Sequence, residues 1–169
     1  QGILSRLWAT QHHAKMIISG HAGPGIDERI ALWSFPDVFV PLSSFQRDWA
    51  KSANPFLKQL VKIPNGVDTG KFSPQAKPLE VHLPHPIILC VGAMWSWMKR
   101  QDLLIKAVSQ LPMGSLLLVG EGEGKDQLQK LGDTYLKGRF KIISLPYDQM
   151  PKVYTACDLF TYPTSSWEA

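Results

Sequence analysis

The sequence predicts an α/β fold built on parallel, buried strands, and three observations predict it. Short β-rich runs alternate along the chain with amphipathic runs of helical period. The β-rich runs are continuously apolar, as strands covered on both faces are, where a half-solvated antiparallel sheet would alternate. From residue 86 onward four strand-to-helix alternations follow one another, the pattern of a doubly wound half-domain.

The elements follow in chain order. "KMIIS" (15–19) is the first strand and runs into the glycine-rich turn "GHAGPG". "DVFVPL" (37–42) is the second, and "SSFQRDWAKS" after it is a helix opened by Ser as N-cap. "VKIP" (61–64) reads as a third strand. Then "NGVDTGKFSPQAKPLEVHLPHP" breaks the rhythm: Asn-Gly and scattered prolines make a turn and a linker. The chain is therefore expected to divide into part of one domain (1–64), a linker (65–85) and the opening of a second domain (86–169). In the latter the strands are "PIILCVG" (86–92), "SLLLVG" (115–120), "FKIIS" (140–144) and "DLFTYP" (158–163). Between them "RQDLLIKAVSQL" places Leu103, Leu104, Ala107, Val108 and Leu111 on one helical face, and "EGKDQLQKLGDTYL" does so with Leu128, Leu131 and Leu136. "DQMPKVYTAC" carries a proline soon after an Asp able to cap.

Composition narrows the function classes. With 44% hydrophobic residues in 169, the chain holds enough for one ordinary core or two incomplete ones. Eighteen basic against fourteen acidic side chains give +4, which suits an anionic ligand and falls short of a nucleic-acid footprint. Cys90 and Cys157 sit in apolar runs and read as buried free thiols, and the five histidines never fall at metal-ligand intervals. No run reaches the length of a membrane span, so a cytoplasmic location, or a peripheral one at a membrane surface, is expected. The chain opens on Gln1 and stops in "TSSWEA" directly after a strand, so both ends look cut.

Five segments in order, "FVPLSSFQRDWA", "VKIPNGVDTGKFSP", "IILCVGAMWSWMKRQDLLIKAV", "LLLVGEGEGKDQLQKL" and "MPKVYTACDLFTYPTSSWEA", resemble successive blocks of the retaining glycosyltransferases of the GT-B fold. This is the group called glycosyltransferase group 1 or family 4, and the likeness spans about residues 37–169. It implies Rossmann-like parallel sheets of the GT-B type, incomplete in this chain, with "PNGVDTGKFSP" as the interdomain connector. It also implies a metal-independent transfer of sugar from a nucleotide-diphospho-sugar, with no cofactor, to an unidentified acceptor such as a glycan or lipid. The 169 residues alone are then expected to be inactive, since half of the cleft's ligands would be missing.

Site residues follow from the same likeness. The family places an Arg directly after the glycine that ends the strand and a Lys six residues further on; here Gly92 and Lys99 match, and the Arg position is Ala93. Lys99 would then carry more of the diphosphate's charge, aided by Arg100 or by helix-terminal amides; the alternative is that both cations simply open a solvated helix. Gly120 and Gly122 line the donor cleft or serve a tight strand-to-helix turn. The stretch "SLPYDQM" would offer main-chain contacts to the base near Leu145. "PTSSWEA" resembles the start of the family's glutamate pair, with Glu168 beside the transferred sugar, or else as a surface glutamate at a helix start. His21, in the turn of Gly20, Gly23 and Gly25, would face donor sugar and acceptor, or have no role. Trp95 and Trp97, with Met94 and Met98, wall the cleft, cover the sheet's edge, or touch a membrane. Two further readings remain open: a non-catalytic nucleotide-binding or assembly module, motivated by Ala93, and a nucleotide-sugar epimerase.

Overall fold

The structure, a computed structural model, describes residues 2–21, 23–94 and 99–163. The chain folds into two compact units, one of residues 1–66 and one beginning at Val67.

The first unit holds α1 (Gly2–Gln11), β1 (Ile17–Ser19), α2 (Ile26–Leu32), β2 (Val38–Val40) and α3 (Ser44–Ala53). β1 and β2 pair in parallel, Ile17 opposite Val38 and Ser19 opposite Val40. The Ser43 hydroxyl accepts from the Gln46 N–H at 3.1 Å and so opens α3 as the sequence predicts. Leu32, Phe39 and Ala50 are fully buried and form the core, with Ile18, Trp49, Leu57 and Leu60 around them. Helices α1 and α2 lie outside the expected element list; the continuous-strand criterion is silent about helices, and α1 buries only Ala9.

The strand expected over 61–64 does not form. Leu60 makes a single parallel bridge to Phe39, and one more hydrogen bond follows, from the Ile63 N–H to the Pro41 carbonyl at 3.1 Å. Pro41 has no N–H to return and Pro64 ends the run, so the ladder cannot propagate.

The second unit is a four-stranded parallel sheet of β3 (Ile87–Val91), β4 (Ser115–Val119), β5 (Phe140–Ile143) and β6 (Leu159–Phe160), in the order β5-β4-β3-β6. Between the strands run α4 (Gln101–Ser109), α5 (Lys125–Tyr135), a 3-10 turn (Tyr147–Gln149) and α6 (Met150–Thr155). Successive side chains of a strand point to opposite faces, and both faces are filled. Ile88, Cys90, Leu116 and Leu118 meet Leu104, Ile105 and Val108 of α4 and Leu128 of α5. Ile87, Leu89, Leu117 and Val119 meet Met150 and Val153 of α6. Each fully buried Leu or Ile contributes roughly 1.5–3 kcal/mol of hydrophobic stabilisation, which explains why these strands carry no polar alternation.

Three local expectations change. Leu103 and Leu111 are 45% exposed, while Ile105 is fully buried: the stripe of α4 runs through Gln101, Leu104, Ile105 and Val108. Asp148 does not cap α6; it lies within the 3-10 turn, and Gln149 precedes the helix without a side-chain cap. Most of the stretch expected as a linker, from Val67 onward, lies within the second unit: Phe72, Leu79, Val81 and Leu83 pack on the α6 face of the sheet, and the Leu79 N–H bonds the Lys152 carbonyl at 2.9 Å.

Candidate functional site

In the second unit the chain builds β3, β4 and β5 outward in one direction, then returns to place β6 on the other side of β3. The order reverses between β3 and β6, and open parallel sheets offer a crevice at the carboxyl ends of the strands at such a reversal. Gly92 directly follows β3 at this point. A Cβ added to Gly92 would stand 3.5 Å from Tyr162 Cε2 and 4.0 Å from Lys99 Cδ, so Lys99 and Tyr162 converge over the glycine. The Lys99 ammonium donates to the Tyr162 hydroxyl and lies 4.9 Å from the centroid of its ring. Tyr162, two residues past β6, was not singled out in the sequence; its position at a strand's carboxyl end is the signal that could have found it.

The neighbouring glycines have a backbone cause. The Gly92 N–H bonds the Val119 carbonyl at 2.9 Å, which brings the ends of β3 and β4 together. A Cβ at Gly120 would fall 2.1 Å from the Gly92 carbonyl oxygen, and one at Gly122 2.7 Å from that of Met94. Glycine at both positions is thus demanded by the approach of two main chains, whatever else the loop lines.

Around Lys99 the surroundings are mostly committed. Arg100, in a left-handed conformation at φ 49°, reaches Asp102 with Nε 3.2 Å from Oδ1, so its guanidinium is shared with a carboxylate. Gln101 is 2% exposed and donates from Nε2 to the Ala93 carbonyl at 3.1 Å; its Oε1 has no partner among the described residues. Burial pushes the Cys90 thiol up to about 11, only partly offset by the Lys99 charge, so it stays neutral and unreactive near pH 7.

Further along the same edge, past β4 and β5, lies a polar cluster that the sequence reading did not pick out. Lys125 Nζ stands 3.3 Å from each carboxylate oxygen of Glu121 and 3.1 Å from the Ser144 hydroxyl. Ser144 in turn donates to the Gly120 carbonyl at 3.2 Å. The hydroxyl of Ser144 and then the charge of Lys125 hold the Glu121 carboxyl below its ordinary range. A Glu and a Lys four apart beside a strand-ending glycine was the available signal. Leu145, next in sequence, is partly buried and packs its side chain, like Val91 and Ile143, against the core on the α6 face.

His21 lies in the first unit, two residues beyond β1, with Nε2 3.0 Å from the Ser19 hydroxyl. The space beside Gly20 is filled by protein: a Cβ there would strike Glu28 Oε1 at 2.0 Å and Phe39 Cζ at 2.5 Å. Behind it Gln46 donates to Glu28 at 2.8 Å in the buried interior. Glu168, Trp95, Trp97 and Met98 lie outside the described residues.

A cleft of about 640 Å³ opens beside α6, lined by Val67, Phe72, Pro74, Tyr154 and Cys157 among others. None of its lining residues is charged, so it does not suit a diphosphate. Cys157 is half-buried, and burial followed by the Asp158 charge raises its thiol to about 11. Among the described residues no three of His, Cys, Asp and Glu converge as a metal site, and no helix is long and apolar enough to cross a membrane.

The family of glycosyl transferases group 1 matches residues 85–169. The chain is 27% identical over 139 residues to the GDP-mannose-dependent alpha-(1-6)-phosphatidylinositol monomannoside mannosyltransferase of Mycolicibacterium smegmatis, covering 75% of this chain and 36% of that protein. Among solved structures, Anabaena HepE in complex with UDP and glucose superposes with a TM-score of 0.73 at 18% identity, over 96% of this chain and 50% of that one. A glycosyltransferase from Rickettsia africae superposes at 0.70 with 20% identity, over 95% of this chain and 48% of that one. The chain thus spans about a third of the curated relative and about half of these structures. The α/β fold with Rossmann-like parallel sheets of the GT-B type is the one these structures share, and the chain belongs to the glycosyl transferases group 1.

Proposed function

We propose that the full-length protein transfers a sugar, with retention of anomeric configuration, from a nucleotide-diphospho-sugar to a glycan or lipid acceptor. The observation that carries this is the convergence of Lys99, Gly92 and Tyr162 at the strand-order reversal of the second unit. Breaking the bond from the anomeric carbon to phosphate oxygen leaves negative charge on the departing nucleotide, and a fixed ammonium stabilises it more in the transition state than in the ground state. The Tyr162 hydroxyl and ring fix Lys99 in direction. The acceptor oxygen attacks from the face the phosphate leaves, and its proton passes to that phosphate, so no nucleophilic carboxylate is needed. Glu168 beside the donor sugar and His21 toward the acceptor complete the assignment. The 169 residues alone are expected to show little turnover, and the protein is placed in the cytoplasm or peripherally at a membrane.

The relatives differ in donor: the mannosyltransferase is named for GDP-mannose, while HepE is seen with UDP-glucose. Ala93 supports a second reading, a nucleotide-binding module without turnover, since the family's usual arginine is missing there. Full-length protein separates the two. We expect nucleoside diphosphate binding that Lys99→Met weakens by about tenfold, about 1.4 kcal/mol, by calorimetry, together with transfer of label from a sugar-nucleotide to an acceptor. Unchanged affinity in Lys99→Met defeats the phosphate role, and binding without transfer favours the module.

A further inference from the structure

We infer that Glu121 and Lys125 read the base of the donor nucleotide, and that the base they fit is guanine. The inference rests on the donor-binding reading above and adds the identity of the base.

The carboxyl ends of β5, β4, β3 and β6 stand side by side. With neighbouring strands about 4.8 Å apart, this edge is roughly 14 Å wide, comparable with an extended nucleoside diphosphate. Lys99 and Tyr162 mark the β3/β6 end. A diphosphate held there leaves the nucleoside to lie along the edge toward β4 and β5, where Glu121, Lys125 and Ser144 form a hydrogen-bonded cluster and Glu123, Tyr147 and Asp148 are further exposed polar residues of the same loops.

That cluster is ordered internally yet reachable. Ser144 is anchored on the Gly120 carbonyl and positions the Lys125 ammonium at 3.1 Å, and Lys125 lies equally far, 3.3 Å, from both Glu121 oxygens. The side chains of Glu121 and Lys125 remain 66% and 39% exposed, so a ligand can meet both. The lowered carboxyl of Glu121 is ionised at neutral pH and only accepts, whereas the ammonium only donates.

The edge of guanine supplies the complement. Its N1–H and exocyclic N2–H₂ are adjacent donors, which a carboxylate takes with both oxygens, and its O6 accepts from an ammonium beside them. Uracil offers one donor, N3–H, flanked by two carbonyls; one carbonyl can take Lys125, but the other then faces a carboxylate oxygen with no proton between them. Adenine offers a donor and an acceptor and leaves the second carboxylate oxygen unmatched. A site built around both oxygens therefore discriminates by the unpaired group that the wrong base leaves behind.

The test is calorimetry of full-length protein with GDP, UDP and ADP, comparing wild type with Glu121→Gln and Lys125→Met, and with thermal unfolding to confirm that the exposed substitutions leave the fold intact. We expect GDP to bind at least about tenfold more tightly than UDP or ADP. Glu121→Gln is expected to remove most of that preference while UDP affinity stays within about twofold, because the glutamine keeps the shape but presents only one acceptor. Lys125→Met is expected to weaken GDP by about fivefold or more. Equal affinities for the three nucleotides, or an equal change for all three in Glu121→Gln, overturn the base assignment and leave the donor reading standing. Absence of binding by all three nucleotides in the wild type overturns the donor reading itself.

Discussion

At the scale of single residues, positions that look interchangeable in sequence are separated by what stands a few ångströms away. Gly120 is fixed by a carbonyl: Gly120→Ala places a methyl 2.1 Å from Gly92 oxygen, main chain against main chain, with no side chain free to yield. We expect it to destabilise the second unit by roughly 2–3 kcal/mol, read as a lower urea midpoint. Gly25, with nothing within 4 Å of an added Cβ, should accept alanine at little cost. Asp37 gives a pH prediction. Its carboxylate, 11% exposed, accepts from the Met16 N–H at 3.0 Å, from Lys58 at 3.1 Å and from Arg6 at 2.8 Å, and these partners, in that order, hold its pKa well below the ordinary carboxylate range. A depressed folded-state pKa contributes stability that is present above the unfolded value, near 3.9, and is lost as pH falls toward the folded one. Asp37→Asn should therefore be less stable than wild type at pH 7, and the difference should shrink steadily below about pH 4 in urea titrations. A constant difference from pH 7 to pH 2 would contradict the assigned cause. Lys99 was visible in sequence because a family pattern places a cation there; Tyr162, Glu121 and Ser144 were not, because they meet only when strands distant in sequence align their ends.

At the scale of elements, helical period located α4 but misjudged its face: of the five residues expected there, Leu104 and Val108 are buried while Leu103, Ala107 and Leu111 are exposed. Leu103 and Ile105 flank Leu104, and both satisfy a broad apolar stripe; the sheet selects Ile105, which is fully buried, over Leu103, 45% exposed. Ile105→Ala should cost about 2–5 kcal/mol by opening a cavity against Leu116 and Leu118, whereas Leu103→Ala should stay within about 1 kcal/mol. Comparable losses from the two would show that the stripe is wrongly assigned. Strands β3 and β4 were legible because burial on both faces leaves them almost wholly apolar, whereas β5 keeps the exposed Lys141 and both residues of β6 are exposed. The run at 61–64 failed for a reason also written in the sequence, since Pro41 sits where the ladder needs an N–H donor. Helix α1 was not legible: Ile3, Leu4, Leu7 and Trp8 are all more than half exposed, so its apolar residues do not trace a buried stripe within this chain.

At the scale of the whole molecule, the two units differ in how much core supports them. The first has three buried hydrophobic residues in its cluster and a two-stranded sheet; the second has two filled layers on a four-stranded sheet. Local opening free energy follows buried contacts, so amide hydrogen exchange should show β3 and β4 as the slowest segment and β1 and β2 exchanging distinctly faster. A single cooperative exchange class across both units would refute this. Charge at this scale says little: +4 over 169 residues is compatible with an anionic ligand, and it is the tertiary structure that sets Lys99 and Lys125 at the carboxyl ends of one sheet.

The sequence by itself determined the class of the fold and the buried strands of the second unit, because burial and strand-helix alternation are properties of neighbouring residues and leave periodic traces; Lys99 was marked only by the resemblance to a family pattern. Only the tertiary structure decided what surrounds Lys99, why Gly120 and Gly122 are glycines, and that Glu121, Lys125 and Ser144 meet at the same strand ends. The reason is physical: the order β5-β4-β3-β6 brings together residues from 92 to 162 at the ends of strands, and no local pattern records a contact made across such separations.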